Sequence, residues 1–349
     1  MAIVKEAVKK DVKQNVVKQD LMTQKTKNSE LSNDLLIQLY KDMILYRRFE
    51  ERVHVAYTTR RKFAGFCHLH IGQEALAAGV QHALRPSDYM IGAYRSHTQA
   101  IAKGIEPKRV MAELFGKVDG CVRGKGGSMH MFSKEKRFLG GHGIVGGQVP
   151  LATGVGFAIK YRGEQDICVC YIGDAATNQG QFHEALNMAA TWKLPVLFII
   201  ENNRYGMGTD IHRTTSVDHL WKRALAYDMA HSQVDGLDVL NVYNAVKSTA
   251  EGMRHDNHPH LMEIMTYRYR GHSVSDPGAY RTKEEVAEYQ AKDPMTMHGK
   301  FLVASKLATE ADLAKWDEEA KKIAADAEDF ADQSPPPGED ELWQHVYAE

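Results

Sequence analysis

Residues 166–203 read DICVCYIGDAATNQGQFHEALNMAATWKLPVLFIIENN, and their pattern decides the architecture. Asp166 to Ile172 is a short apolar run closed by Gly173 and Asp174, as expected of a strand buried on both faces. Gln181 to Trp192 has helical character, and Pro195 to Ile200 is a second apolar, β-branched run. Strand, helix and strand in so short a stretch form a βαβ unit, which demands a parallel sheet. In a doubly wound sheet of that kind, ligands gather at the carboxyl ends of the strands. Asp174 stands at one such end, and Glu201-Asn202-Asn203 at the next, with Asn203 29 positions after Asp174.

Outward from this unit the pattern is less regular. Ser32 is placed to cap a helix whose apolar face carries Leu36, Leu39, Met43 and Tyr46. Between 60 and 150 the chain is Gly-rich, and Gly120–Gly127 and Gly140–Gly147 read as loops where backbone approaches something closely. A further strand is expected at Leu261 to Thr266, and two capping boxes at Thr282/Glu285 and Thr309/Asp312. Both boxes open helical segments, so the C-terminal quarter is helical until Ser334 to Pro337 breaks the pattern before Leu342, Trp343 and Val346. With no internal repeat and no linker, residues 31–349 read as one α/β domain, helical from about 282, preceded by a flexible arm over 1–30.

The 349 residues are 43% apolar and carry a formal charge of −1, which argues against a nucleic-acid or membrane-surface partner. No apolar run reaches the roughly 20 residues needed to span a bilayer. The first thirty residues are Lys-rich, hold Glu6, Asp11 and Asp20, and lack both Arg and an apolar stretch. That fits neither a secretory signal nor an Arg-rich transit peptide, so a cytoplasmic location is expected. Of the cysteines Cys67, Cys121, Cys168 and Cys170, the last two alternate in a strand and share a face. A metal or redox pair is conceivable, but no second pair completes a ligand set, and small buried hydrophobes are the plainer reading.

Asp174 and Asn203 on adjacent strand ends suit a hard cation such as magnesium, which takes oxygen ligands in octahedral geometry and bridges phosphates. A carbonyl from the turn at Tyr205 would add a third ligand. The plainer alternative is a strand-end Asp capping a helix and an Asn pair in a turn. Gly173-Asp174-Ala175 followed by Asn202-Asn203 resembles the Gly-Asp-Gly to Asn-Asn motif of thiamine-diphosphate enzymes, with Ala175 replacing the second glycine. The resemblance runs from about Leu35 to the C-terminus. Its blocks are Gly65-Phe66-Cys67-His68-Leu69, Ala93-Tyr94-Arg95, Lys125 to Met131, Gly143-Ile144-Val145-Gly146, Asn178-Gln179-Gly180, Glu201 to Thr209 and Tyr267 to Ser273. Together they resemble alpha subunits of the thiamine-diphosphate-dependent 2-oxo acid dehydrogenases, those of the pyruvate dehydrogenase type in particular.

The resemblance implies the fold and the roles. The fold would be the diphosphate-type domain of the thiamine-diphosphate-binding fold, a doubly wound, mostly parallel α/β sheet with a helical C-terminal extension. Asp174, Asn203 and the Tyr205 carbonyl would hold Mg2+. Tyr94, Arg95, Arg268 and His272 would hold the diphosphate, where cationic and donor groups offset its charge. Backbone at Gly143 and Val145 would meet the aminopyrimidine, Ala175 and Ala176 would make backbone contacts beside the metal, and Ser133 matches a cofactor-lining position followed by a small insertion. His68 would face the substrate end, with His68 and His272 the candidate catalytic residues. Since no second α/β block carries a pyrimidine-activating glutamate, that residue would belong to a beta subunit in an alpha2beta2 heterotetramer. Pyruvate would lose its carboxyl group, and the acetyl group would pass to the lipoyl arm of an acyltransferase component. The loop after His272, with Gly271, Gly278, Ser273, Ser275 and Asp276, would order around the diphosphate; serines of this loop are phosphorylated in mitochondrial relatives.

Other readings stay open. Branched-chain 2-oxo acid and acetoin dehydrogenase alpha subunits share the metal motif. The former usually lack a Phe-Cys-His-Leu block, and the latter differ after the His272 loop. A silent scaffold subunit would need broken ligands, whereas Asp174, Asn203, Arg95 and His272 are all present. A dinucleotide oxidoreductase would need a Gly-x-Gly-x-x-Gly after a first strand. Gly124-Lys125 faintly suggests a phosphate loop, but it lacks the Lys-Ser/Thr pair and the preceding strand.

Overall fold

The computed structural model describes residues 31–344, 346 and 347, so the expected arm at 1–30 lies outside them. The sheet and the whole candidate site belong to the unit Ile37–Glu349. The first helix, α1 (Asn33–Thr58), begins where the Leu35 amide donates to Ser32 Oγ at 3.2 Å, as the capping pattern predicts.

Six parallel strands form the sheet. They are β1 (Tyr89–Ala93), β2 (Phe138–His142), β3 (Cys168–Gly173), β4 (Val196–Asn202), β7 (Ala230–Asp235) and β8 (His260–Met265), in the spatial order β2-β1-β3-β4-β8-β7. A small hairpin, β5 (Tyr205–Gly206) with β6 (Thr209–Asp210), follows β4. Helix α2 (Glu74–Ala83) precedes β1, and the helices between strands are α3 (His97–Ala102), α4 (Pro107–Leu114), α5 (Gln148–Arg162), α6 (Gly180–Trp192) and α7 (Val239–Asp256). After β8 come α8 (Lys283–Gln290), α9 (Pro294–Ala304) and α10 (Glu310–Gln333), the predicted helical extension.

Alternation along the strands explains the two buried faces. Cys168, Cys170, Ile172, Val196, Phe198 and Ile200 meet Val149, Ala152 and Ile159 of α5 and Phe182 and Leu186 of α6. The intervening Val169, Tyr171, Leu197 and Ile199 are buried as well, so strands read as continuous apolar runs rather than alternating ones. Cys168 and Cys170 are free core thiols, raised by burial away from their reactive range. Helices α2 and α7 cross so closely that a Cβ at Gly79 would lie 2.7 Å from Val242 Cγ1.

Two local expectations are corrected. Gly140–Gly147 is not all loop: Phe138–His142 is the edge strand β2, because its glycines admit a neighbouring backbone rather than a turn. That neighbour runs antiparallel, with Gly141 N donating to Met131 O at 3.0 Å. Thr282 caps α8 through the Glu285 amide, but Glu285 returns no bond to Thr282; its carboxylate accepts from Tyr205 Oη and Tyr267 Oη instead. The Thr309/Asp312 box is complete. The Gly120–Gly127 loop is approached closely, as its glycines predict, and what approaches it is the chain's own carboxylate. Buried Glu113 accepts from the amides of Val122 and Gly124 on Oε2, each at 2.9 Å, and from Gly126 (2.7 Å) and Gly127 (3.1 Å) on Oε1. Charge-assisted bonds are worth about 1.5–3 kcal/mol each, so Glu113→Ala is expected to cost roughly 3 kcal/mol or more in denaturant unfolding. A change below about 0.5 kcal/mol, the size of an ordinary surface substitution, would contradict the role of Glu113.

Candidate functional site

The register Gly173↔Glu201 and Asn202↔Met265 brings the chain out of β3, β4 and β8 on one edge. Asp174 leaves first, only 3% exposed, with its Oδ2 lacking any hydrogen-bond partner. Burial pushes its carboxyl up to about 6, opposed by its own and the Ala175 amides and by Arg268. Asn203 gives its Nδ2 to Gln73 Oε1 at 3.2 Å, which turns Oδ1 the opposite way. That oxygen and the Tyr205 carbonyl each lie 3.5 Å from one nitrogen, Arg268 Nη1. The amide oxygen and the carbonyl therefore face one place already visited by positive charge, and the same guanidinium acts on the Asp174 carboxyl. Among the described residues no group of three His, Cys, Asp or Glu is placed to hold a metal, so a cation here needs this mixed oxygen set, the kind magnesium takes. The turn is strained, with Arg204 at φ 73° and Met207 at φ 55°. Ala175 is accommodated: its φ is not positive, and its Cβ occupies space that a Cβ on Gly206 would contest at 2.4 Å. Ala176 follows, buried, in the same 3-10 turn.

Opposite this corner sit two buried guanidiniums. Arg95 donates to the carbonyls of Leu69 (2.5 Å) and His272 (2.8 Å). Burial and the nearby Arg268 push its pKa down to about 10. Arg268 donates to Met207 O at 3.1 Å and Tyr280 Oη at 2.8 Å. Neither makes an ion pair among the described residues, so an anion is the missing complement, and a diphosphate fits. The rings of His68, Tyr94 and His272 pack together, with centroids 4.5 Å (His68–Tyr94), 5.1 Å (His68–His272) and 5.6 Å (Tyr94–His272) apart. Both imidazoles keep a buried Nδ1 without a partner. Burial, then Arg95, pushes His68 down to about 2 and His272 down to about 4, so both are neutral at neutral pH.

The loop after His272 is organised by its own carboxylate. Asp276 accepts from the His272 amide (2.5 Å), the Gly278 amide (2.8 Å) and Tyr280 Oη (2.9 Å), while Ser273 and Ser275 share a bond at 3.0 Å. On the far side, Gly143 stands 3.0 Å, measured from its virtual Cβ, from the His130 ring. Val145 O accepts from Gln181 Nε2 at 3.0 Å, and Ile144 is 75% exposed. Ser133 is not brought to the site. It pairs with Phe138 at the amino end of β2, bonding in both directions at 2.8 and 3.0 Å, whereas the other residues gather at carboxyl ends. Gln73 and Tyr280 are neighbours that no matched block signalled, and only the fold brings them here.

A carboxyl raised from 3.8 to about 6 makes the cation-free fold more stable when protonated. Its contribution is complete below about pH 4 and is lost as pH rises through 6. Asp174→Asn mimics the protonated form, so in metal-free protein at pH 7 it is expected to raise unfolding free energy by on the order of 2–3 kcal/mol, with no gain near pH 4. Equal stability at both pH values would contradict a buried, uncompensated carboxylate.

The sequence pattern described as "Dehydrogenase E1 component" matches residues 41–339. The "Pyruvate dehydrogenase E1 component subunit alpha" of Rickettsia felis is 47% identical over 323 residues, covering 93% of this chain and 99% of that protein. The protein of the same name from Rhizobium meliloti is 46% identical, covering 91% of each. "Pyruvate dehydrogenase E1 component subunit alpha-3, chloroplastic" of Arabidopsis thaliana is 43% identical, covering 96% of this chain and 79% of that one.

Proposed function

The chain belongs to the dehydrogenase E1 component family, and from that premise we propose that it is the alpha subunit of a pyruvate dehydrogenase that anchors Mg2+ and thiamine diphosphate. The observation that carries the cofactor part is the shared approach of Asn203 Oδ1 and Tyr205 O to Arg268 Nη1, both 3.5 Å, with the partnerless Asp174 Oδ2 nearby. In this reading Asp174, Asn203 and the Tyr205 carbonyl hold the metal. Arg95, Arg268, Tyr94 and His272 hold the diphosphate, with Ala175 and Ala176 backbone beside it. Backbone at Gly143 and Val145 meets the aminopyrimidine; at Val145 the amide remains for it, since the carbonyl is engaged by Gln181.

Thiamine diphosphate, when bound, supplies a nucleophilic carbon for the 2-oxo acid carbonyl and a sink for the electrons left by carbon dioxide. The chain's own part is binding, orientation and proton control. Two fixed guanidiniums in a buried site neutralise phosphate oxygens without reorganising. His68, neutral and with Nδ1 free, holds or relays a proton at that atom beside the substrate carbonyl. Packing of Tyr94 against both imidazoles excludes water from this end of the cleft.

The carboxylate that activates the pyrimidine would come from a beta subunit in an alpha2beta2 assembly, and the acetyl group would leave on the lipoyl arm of an acyltransferase component. Substrate choice is tested on the chain co-expressed with its beta subunit, by carbon dioxide release from the 2-oxo acids and acetaldehyde release from acetoin. We expect kcat/KM for pyruvate to exceed that for branched-chain 2-oxo acids and for acetoin by about tenfold or more, a difference of about 1.4 kcal/mol in transition-state binding. A preference for either competitor would move the chain to the corresponding dehydrogenase.

A further inference from the structure

Three groups far apart in sequence form one buried line. Glu50 of α1 is fully buried. Its Oε1 accepts the His70 amide at 2.9 Å, and its Oε2 bonds His97 Nδ1 at 3.0 Å. His97, also fully buried, bonds Ser128 Oγ through Nε2 at 2.8 Å. The order carboxylate, imidazole, hydroxyl is that of a nucleophile triad, but Ser128 is itself buried and belongs to a packed segment. What the line connects is more informative than what it resembles.

Each end grips a wall of the cleft. The His70 amide lies two residues beyond His68, in the segment whose Leu69 carbonyl accepts from Arg95 and whose Cys67 carbonyl accepts from Val274 in the His272 loop. Ser128 precedes Met129 and His130, which back the aminopyrimidine side. A Cβ on Gly141 would lie 2.6 Å from Met129 O, and one on Gly143 3.0 Å from the His130 ring. His97 itself opens α3, two residues after Arg95. One carboxylate thus ties the His68 wall, and through a single imidazole the Gly143 wall, to the same helix.

We propose that Glu50, His97 and Ser128 form a positioning relay that fixes the gap between the His68 and Gly143 walls, and with it the fit of the 2-oxo acid. None of the three touches the cofactor or substrate positions assigned above, and the substrate part rests on the proposed function. Because the Glu50 carboxylate only accepts, His97 Nδ1 carries a proton, and in the neutral ring Nε2 accepts from the Ser128 hydroxyl. Glu50→Gln preserves the geometry with the polarity reversed. The amide oxygen still accepts from His70, the amide nitrogen donates to Nδ1, and Nε2–H donates to Ser128 Oγ. Glu50→Ala breaks both arms, His97→Ala breaks only the second, and Ser128→Ala breaks the second together with the Ser128 hydrogen bond to Cys67.

The test uses the alpha chain assembled with its beta subunit. Ser128→Ala and Glu50→Ala are expected to raise KM for pyruvate about tenfold or more, in line with the cost of a small misplacement of a binding wall. Affinity for thiamine diphosphate with Mg2+ should stay within about threefold, because Asp174, Asn203, Tyr205 and Arg268, which hold the metal and share the diphosphate, lie beyond β3, β4 and β8, and Glu50→Gln should stay near the parent in both respects. Amide exchange of the cofactor-free assembly supplies a reading independent of activity. Glu50→Ala should speed exchange in both 67–71 and 126–130, whereas His97→Ala should speed it in 126–130 alone, leaving the His70 amide protected by Glu50. The relay is wrong if KM is unmoved in Ser128→Ala, if Glu50→Gln is as damaging as Glu50→Ala, or if cofactor affinity falls in step with KM. Should Glu50→Ala not assemble, an unmoved KM in both Ser128→Ala and His97→Ala overturns the relay. A parent enzyme inactive on every 2-oxo acid would overturn the function while leaving the exchange pattern to judge the relay.

Discussion

Calorimetry on the assembled enzyme is expected to show no magnesium-dependent binding of thiamine diphosphate once Asp174 is replaced by alanine. Asp174 is the one carboxylate in the proposed ligand set, and its Oδ2 has no competing partner. Removing it takes away the charge that draws Mg2+ into a pocket where Arg95 and Arg268 already supply positive potential. Outer-sphere partners of metal ligands typically cost roughly 10–100-fold in affinity when lost, and a direct anionic ligand should exceed that. Asn203→Ala removes a neutral amide and should be milder. Gln73 would keep its place, but the oxygen it orients would be gone. Unchanged affinity in Asp174→Ala would remove the metal assignment. The gain in metal-free stability expected for Asp174→Asn makes the same residue costly to the fold and necessary to the cofactor.

The second large effect is the silence of the chain by itself. Purified without a beta subunit, it is expected to release carbon dioxide from pyruvate at no more than about a thousandth of the rate of the pair, since general acid–base assistance alone is worth roughly 10²–10⁴-fold. The carboxyl ends of β1, β2, β3, β4 and β8 lead into the groups proposed to bind metal and cofactor. Beside the assigned aminopyrimidine contacts, the chain presents Ile144 and Val145 largely to the outside, 75% and 41% exposed. The pyrimidine-activating carboxylate would enter from there. Comparable rates for the chain and the pair would contradict a shared active site.

The βαβ reading of 166–203 was sound because parallel strands buried on both faces leave an uninterrupted apolar run, and Cys168 to Gly173 and Val196 to Asn202 are such runs. Strand ends follow directly, so Asp174 and Asn203 could be placed near one another before any coordinates. Edge strands left no such mark. Ala230–Asp235 is mostly polar and half-exposed, and Phe138–His142 is broken by glycines that serve close backbone approach. Ser133 illustrates the limit of matching by position: it lies beside a matched block yet folds back to the amino end of β2. The Gly120–Gly127 loop shows a different limit. Its glycines signal a close approach, but nothing local says that Glu113 is what approaches. Gln73 and the Glu50–His97–Ser128 line are contacts between distant segments, and only tertiary structure makes them neighbours.

The most direct test of the metal and diphosphate site replaces Mg2+ with Mn2+, whose unpaired electrons report the nuclei around it in pulsed electron paramagnetic resonance. With thiamine diphosphate and the assembled enzyme, the predicted result is one Mn2+ per alpha chain showing phosphorus coupling, with both the bound ion and the coupling lost in Asp174→Ala. Bound Mn2+ without phosphorus coupling, or a spectrum indifferent to Asp174→Ala, would contradict a diphosphate anchored through metal at these strand ends.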